Sequence, residues 1–193
     1  MNKIHPTFTV SFMGVDGSGK TTISKKLNKI FKHSKYLHLR PYILFQDRRR
    51  VLKNPHRQKK SMFITSLIRL ISWLVSYKIF FYKNSNKKIF IFDRYAHDIL
   101  IDPLRYKNSL SKNLTNFLLS FFPKPDLWIY LKCSFKTIKS RKHELSESET
   151  RHLTKEYSNF FKNKKNVLIL NTNKQIKILI KRIKNKMNST TIK

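Results

Sequence analysis

The chain is poor in cysteine, glycine and acidic residues. Among its 193 residues there are one cysteine, three glycines and ten aspartates and glutamates. A single cysteine excludes an intrachain disulfide and fits a reducing compartment. No continuous apolar stretch of the kind found in secretory signals precedes the first glycine. We therefore expect a cytoplasmic protein.

The shortage of acidic residues leaves a large positive charge. The chain has 42 lysines and arginines and a formal net charge of +32. Such a charge attracts polyanions, which include nucleic acid, anionic membranes and phosphorylated substrates. However, the basic residues are spread along the whole sequence, and no nucleic-acid-binding module is recognisable. We interpret the charge as compositional and expect no specific nucleic-acid partner.

One segment, Met62 to Tyr82, is apolar over the length of a membrane span. Arg69 and Lys78 interrupt it, and each charge near the centre of a bilayer costs about 3 kcal/mol. The segment therefore predicts a helix buried against a sheet, with both charges pointing outward, rather than a transmembrane span. Peripheral contact with a membrane is left open.

The three glycines all lie in one short motif. The sequence GVDGSGKT begins at Gly14, follows an apolar run typical of a strand and leads into a helix-forming run. Glycines at this spacing let backbone N–H groups curl around phosphate oxygens. Lys20 then reaches the phosphates, and the Thr21 hydroxyl is suited to Mg²⁺. We predict that a nucleotide is held by Gly14, Asp16, Gly17, Ser18, Gly19, Lys20, Thr21 and Thr22.

Strand-like and helix-like segments alternate along the chain. This alternation is typical of an α/β fold in three layers, with a five-stranded parallel sheet and helices on both faces. We expect one domain over residues 1–193, ending in a frayed tail near 188–193. The predicted strands are Thr7–Met13, Tyr36–Leu39, Lys88–Phe92, Leu127–Leu131 and Val167–Leu170.

A second pair of functional residues, Asp93 and Arg94, follows the predicted third strand. Ligands of parallel sheets sit beyond the carboxyl ends of the strands, where this pair and the glycine motif converge. Asp93 is suited to anchor Mg²⁺ together with Thr21, and Arg94 to clamp a phosphate bidentately. We predict that Lys20, Asp93 and Arg94 are catalytic.

Four motifs in order resemble the thymidylate kinase family. They are GVDGSGKTT from Gly14, Leu39-Arg40-Pro41, Phe92-Asp93-Arg94-Tyr95 and the run from Pro125 to Leu131. More narrowly, the chain resembles a branch that bacteria often encode among genes for surface polysaccharides. The resemblance implies a P-loop nucleoside monophosphate kinase with a mobile lid, near residues 143–150. It also implies Mg²⁺-dependent transfer of the ATP γ-phosphate to dTMP and, as in many members, a homodimer.

The resemblance also assigns roles to single residues. Asp16 would face the acceptor sugar, Arg40 would approach the acceptor, and Arg94 would bridge the donor and acceptor phosphates. Arg141 and Arg151 would flank the lid. The stretch after Tyr95, which helps to read thymine in the family, differs here. Candidates for the acceptor pocket are Tyr95, His97, Asp98, Asp102 and Arg105.

Two alternatives to a dTMP kinase stay open from the sequence. One is a kinase of the same fold that acts on another small acceptor, such as a sugar or a metabolite of glycan assembly. The other is an ATP-binding module without kinase activity that contacts nucleic acid or membrane through its charge. The altered acceptor stretch favours the first of these alternatives.

Overall fold

The computed structural model describes residues 8–39, 60–84, 89–141 and 145–191. They fall into two compact units. The sheet unit comprises described residues 8–38, 89–95, 125–141 and 145–191, and the helical unit comprises 39, 60–84 and 96–124. In chain order the elements are β1 (Phe8–Met13), α1 (Lys20–Ile30), β2 (Ser34–His38), α2 (Phe63–Lys83), β3 (Ile89–Asp93), α3 (Asp98–Ile101), α4 (Lys112–Ser120), β4 (Leu127–Lys132), α5 (Phe135–Arg141), α6 (Glu147–Lys162), β5 (Val167–Asn171) and α7 (Ile176–Thr191).

All five strands of the sheet unit are parallel and follow the order β2-β3-β1-β4-β5. The central strand β1 aligns Val10 with Ile91 of β3 and with Leu127 of β4. Parallel neighbours need crossover connections, and helices provide them here. The predicted α/β architecture with a five-stranded parallel sheet is confirmed.

The two faces of this sheet pack against different helices. On one face the strands present aliphatic side chains to α1 and α7, which contribute Leu27 and Ile183 to the same core. On the other face Trp128 and Tyr130 of β4 meet aromatic residues of α6, and Tyr130 stacks on Tyr157 with ring centroids 5.7 Å apart. Because side chains alternate along a strand, each face holds its own helical layer.

The helical unit is organised by one face of α2. The buried residues of this helix include Trp73, whose ring meets Tyr106 edge to face at 5.8 Å. Lys78 is exposed as expected, but the prediction for Arg69 is wrong. The Arg69 guanidinium donates to the backbone oxygen of Tyr106 and to Ser61 Oγ, because these acceptors lie beside the helix.

The opposite face of α2 is apolar and exposed. By length and composition the helix could cross a membrane, yet 39% of an apolar 18-residue stretch within it is buried inside the protein. The helix is therefore buried along one side only. The exposed side chains of the apolar face are Ile64, Ile68, Ile71 and Val75.

Several element boundaries differ from those expected. The sequence pattern of residues 108–122 predicts one helix, but α4 begins only after Ser111, whose hydroxyl caps it by accepting from the Leu114 N–H. The short helix α3 was not predicted. α7 continues to Thr191, so residues 188–191 are helical although we expected them to fray. The sequence also predicts a short helix before Pro55 and the end of the second strand at Arg40-Pro41, and both lie outside the described residues.

Candidate functional site

The glycine motif forms a loop between β1 and α1. Gly14, Gly17 and Gly19 all have positive φ angles, of 146°, 80° and 88°. A Cβ added to Gly14 would lie 2.6 Å from the backbone oxygen of Leu131, so the loop rests against the end of β4 where only glycine fits. Gly19 caps α1 in the left-handed conformation. A glycine loop that leads directly into a helix N-terminus is the usual setting of an anion site.

Lys20 lies within this loop. Its Nζ donates to the backbone oxygens of Gly14 and Val15, each at 2.8 Å, and the residue is 5% exposed. The ammonium also lies 3.4 Å from the hydroxyl of Ser18, which is fully buried. Lys20 therefore places one positive charge inside the curve of the loop, a position suited to a phosphate.

Asp93, the last residue of β3, is fully buried beside the loop. Its Oδ2 accepts from Thr21 Oγ1 at 2.6 Å and from the Tyr36 hydroxyl at 3.0 Å, and lies 3.4 Å from His38 Nδ1. Burial by itself raises the pKa of Asp93. The hydrogen bonds from His38 and Thr21, together with the Lys20 charge, outweigh it and lower the pKa to about 2. The carboxylate is therefore ionised at neutral pH.

The other oxygen of this carboxylate, Asp93 Oδ1, is buried and has no hydrogen-bond partner among the described residues. A buried carboxylate oxygen without a hydrogen-bond partner is suited to bind a hard cation, and the Thr21 hydroxyl beside it can supply a second oxygen ligand. The described part of the chain holds no group of three or more His, Cys, Asp and Glu that could bind a metal. Mg²⁺ fits here only together with the phosphate oxygens of a nucleotide, which is its usual coordination in phosphoryl-transfer sites.

A buried ion pair joins the loop to the end of β3. Arg94 Nη2 and Asp16 Oδ1 are 2.5 Å apart, and their side chains are 3% and 11% exposed. Arg94 has a φ of 73°, and its N–H donates to the backbone oxygen of Phe12 at 2.9 Å, which fixes the residue after β3. Its Nη1 also lies 3.4 Å from the hydroxyl of Tyr157. Sequence reasoning missed Tyr157, because a tyrosine on the apolar side of an amphipathic helix gives only a core signal.

Tyr95 is placed in the core of the sheet unit. Its ring is fully buried and meets Phe92 and Trp128 edge to face, at 5.0 and 5.8 Å. Burial, and to a lesser extent the Asp126 charge, raises the pKa of its hydroxyl well above the ordinary value. The side chain has no exposed surface in the structure, and its contact with the acceptor stays a prediction.

The remaining acceptor candidates lie in the helical unit, where they make local bonds. Asp98 is fully buried and accepts from the Tyr106 hydroxyl at 2.7 Å. Asp102 is 5% exposed and accepts from the backbone N–H of Arg105 at 3.2 Å. These bonds brace the short helix α3 and the turn after it. A contact of Asp98, Asp102 or Arg105 with substrate stays a prediction.

The two predicted lid arginines differ in position. Arg141, at the end of α5, donates to the backbone oxygen of Gly17 at 3.2 Å and so reaches the loop. Arg151 instead pairs with Glu147 one turn away on the exposed side of α6. Of the predicted lid, residues 145–150 hold the N-terminal cap of α6, and residues 143 and 144 lie outside the described chain, as does Arg40. Thr22 lies exposed in the first turn of α1.

Comparison with known proteins agrees with this geometry. A sequence model of the thymidylate kinase family matches residues 12–183. Among solved structures, thymidylate kinase from Candida albicans, a kinase of broad substrate specificity, superposes with a TM-score of 0.66 at 17% identity, over 96% of this chain and 93% of that one. Thymidylate kinase from Ehrlichia chaffeensis gives 0.62 at 18%, over 95% and 100%.

A third similar structure is a kinase with a different kind of acceptor. Deoxyadenosine kinase from M. mycoides, solved with bound dCTP, gives a TM-score of 0.63 at 22% identity, over 94% of this chain and 100% of that one. A search of curated protein sequences finds no match. At these identities the similarities to solved structures establish the fold alone. The match to the family model also bears on what the chain does.

Proposed function

Because the chain belongs to the thymidylate kinase family and is a nucleotide kinase, we propose that it transfers the γ-phosphoryl group of ATP to dTMP, releasing ADP and dTDP. The observation that supports this best is the buried pair of Asp16 and Arg94 beside the phosphate loop. A guanidinium held at the loop is suited to a second phosphate, and a carboxylate beside it is suited to a sugar hydroxyl.

On the donor side, the loop amides, the N-terminus of α1 and Lys20 hold the β- and γ-phosphates. Thr21 Oγ1 and Asp93 Oδ1 would hold Mg²⁺, which would neutralise charge on the phosphates. Arg141 lies at Gly17 of the loop, where its guanidinium can turn to the γ-phosphate. The low pKa of Asp93 keeps its carboxylate ready for the metal over the whole physiological range.

On the acceptor side, Arg94 binds the phosphate of dTMP while Asp16 accepts from the sugar hydroxyl. One acceptor phosphate oxygen forms a bond to the γ-phosphorus, and the bond from that phosphorus to the bridging oxygen of ADP breaks. No general base is required, since the nucleophile is already an anionic oxygen. Asp16 and Arg94 therefore act by position and charge. The Tyr157 hydroxyl, 3.4 Å from Arg94 Nη1, helps to hold the guanidinium in place.

A second acceptor class is favoured by a specific observation. Tyr95 is buried, and Asp98 accepts a hydrogen bond from Tyr106. The stretch that helps to read thymine in the family therefore makes contacts within the protein here. A pocket changed in this way is suited to another nucleoside monophosphate, or to a phosphorylated sugar, held by the same Asp16 and Arg94. The donor chemistry is the same in both cases.

The experiment that tests this function is ADP release from Mg·ATP with a panel of acceptors: dTMP first, then the other nucleoside monophosphates, then sugars and sugar phosphates. We expect stimulation by dTMP, its loss in Lys20→Ala, and full activity in Lys29→Ala, an exposed lysine on the same helix. Arg94→Ala should lower turnover far more than ATP binding. Stimulation by a different acceptor alone would refute dTMP as the substrate, and indifference to every acceptor would refute the transfer reaction.

A further inference from the structure

Two helices of the sheet unit form one surface. α1 and α7 contact each other on the same side of the sheet, and their apolar residues share one core. Their polar sides face outward and carry exposed basic residues. We call this surface the basic face, formed by Lys25, Lys26 and Lys29 of α1 and Lys177, Lys181, Arg182 and Lys184 of α7.

The basic face contains no acidic residue, since neither α1 nor α7 has an aspartate or glutamate. In the described sheet unit, the carboxylates that reach the surface lie elsewhere: at Asp126 before β4 and on α6, which packs on the other side of the sheet. The basic face therefore carries charge of one sign. A surface of one sign raises the local concentration of a polyanion in a way that a mixed surface does not.

The side chains of this surface indicate the kind of polyanion. Neither helix contains an aromatic residue. Tyr36 of β2, whose ring centroid lies 5.9 Å from Lys25 Nζ, is half-buried and bonded to Asp93, so the basic face offers no exposed row of rings on which single-stranded bases could stack. The apolar sides of both helices are used in the core, and only Ile30 and Ile178 are exposed, which is too little to insert into a membrane. Lysines supply flexible point charges, which suit phosphates better than base edges.

The spacing on α7 also fits a regular row of phosphates. Lys177, Lys181 and Lys184 follow an i, i+4, i+7 pattern and so share one side of the helix. They extend over about 10 Å, a length along which a duplex carries roughly six charges. We propose that the basic face binds double-stranded nucleic acid through its phosphates, without reading base sequence. This binding is additional to the kinase reaction and does not depend on which acceptor the enzyme uses.

The test is fluorescence anisotropy of the full-length protein with a labelled DNA duplex of arbitrary sequence, titrated at several salt concentrations. We expect the logarithm of affinity to fall linearly with the logarithm of salt. The triple variant of Lys177→Glu, Lys181→Glu and Lys184→Glu should bind at least about tenfold more weakly, and its salt slope should be shallower by about three. Replacing the same lysines by glutamine should also weaken binding. This second variant tests the proposal if the glutamate variant fails to fold.

The matched control makes the same change of net charge on the other side of the sheet, at exposed Lys155, Lys162 and Lys165. It should bind duplex almost as tightly as the natural protein. Acceptor-dependent ADP release should be unchanged in both triple variants, because none of these residues lies at the phosphate loop. Equal weakening by both variants would overturn the proposal, since net charge alone would then explain binding. Binding to phosphatidylcholine–phosphatidylglycerol vesicles without duplex binding would overturn it as well, as would the absence of duplex binding at low salt.

Discussion

The ion pair of Asp16 and Arg94 should be strongly coupled, because it is buried. Their charged atoms are 2.5 Å apart, and little of either side chain is exposed. Replacing Arg94 by methionine leaves a buried carboxylate without its guanidinium, which costs about 3–5 kcal/mol of unfolding free energy. Replacing Asp16 by asparagine at the same time removes that charge, so the double variant should recover on the order of 2 kcal/mol relative to the sum of the single effects.

The chain offers a matched control for this prediction. Arg151 and Glu147 are also 2.5 Å apart, but their side chains are 77% and 49% exposed. Solvent screening reduces such a pair, four residues apart on a helix, to about 0.3–0.5 kcal/mol. The two pairs therefore differ in burial and not in distance.

The assay is urea unfolding of the four variants of each double-mutant cycle, followed by circular dichroism. The buried pair should show a coupling energy several times that of the exposed pair. Equal coupling energies would refute the reasoning, because burial would then have no effect on the interaction. Acceptor-dependent ADP release, measured on the same variants, separates loss of the catalytic guanidinium from loss of stability.

Three further predictions concern the phosphate loop and the neighbouring Asp93 of β3. Gly14→Ala should abolish ATP binding and lower stability more than Gly17→Ala, as measured by calorimetry and unfolding, because its Cβ would lie 2.6 Å from the Leu131 oxygen, whereas a Cβ on Gly17 would meet Ile138 at an ordinary 3.5 Å. Thr21→Val should raise the Mg²⁺ concentration needed for half-maximal activity at least about tenfold, whereas Thr21→Ser, which keeps the hydroxyl, should not. The pKa of Asp93 is lowered to about 2 in the folded protein, so its ionised form stabilises the fold above about pH 4 and this contribution is lost as pH falls toward 2. The difference in unfolding free energy between the natural protein and Asp93→Asn should therefore shrink over that range; a constant difference would contradict the assignment.

The sequence was sufficient to predict the loop and the sheet. Five short apolar runs separated by helical segments predict a parallel sheet, and the spacing of three glycines predicts the phosphate loop. Asp93 was expected just beyond its strand and is in fact the last residue of it. The ends of β1 and β3 meet as predicted because parallel strands present their carboxyl ends at one edge.

The residues that contact Asp93 and Arg94 could not be predicted from the sequence. His38 stands opposite Asp93 in the register of β2 and β3, and this register depends on packing rather than on any local pattern. The contact of Arg94 with Tyr157 likewise joins residues 63 apart in the chain. Arg69 was misjudged for the same reason, because its backbone acceptor at Tyr106 becomes visible only in the folded chain.

The central claim is that a phosphoryl group passes from ATP to a nucleoside monophosphate at this loop. The most direct measurement follows the label from ATP carrying a radioactive γ-phosphate, in the presence of Mg²⁺ and dTMP, with products separated by chromatography. We predict that the label appears in dTDP, and that neither Lys20→Ala nor a reaction without acceptor produces it. Label found only in inorganic phosphate, in amounts independent of dTMP, would contradict the claim.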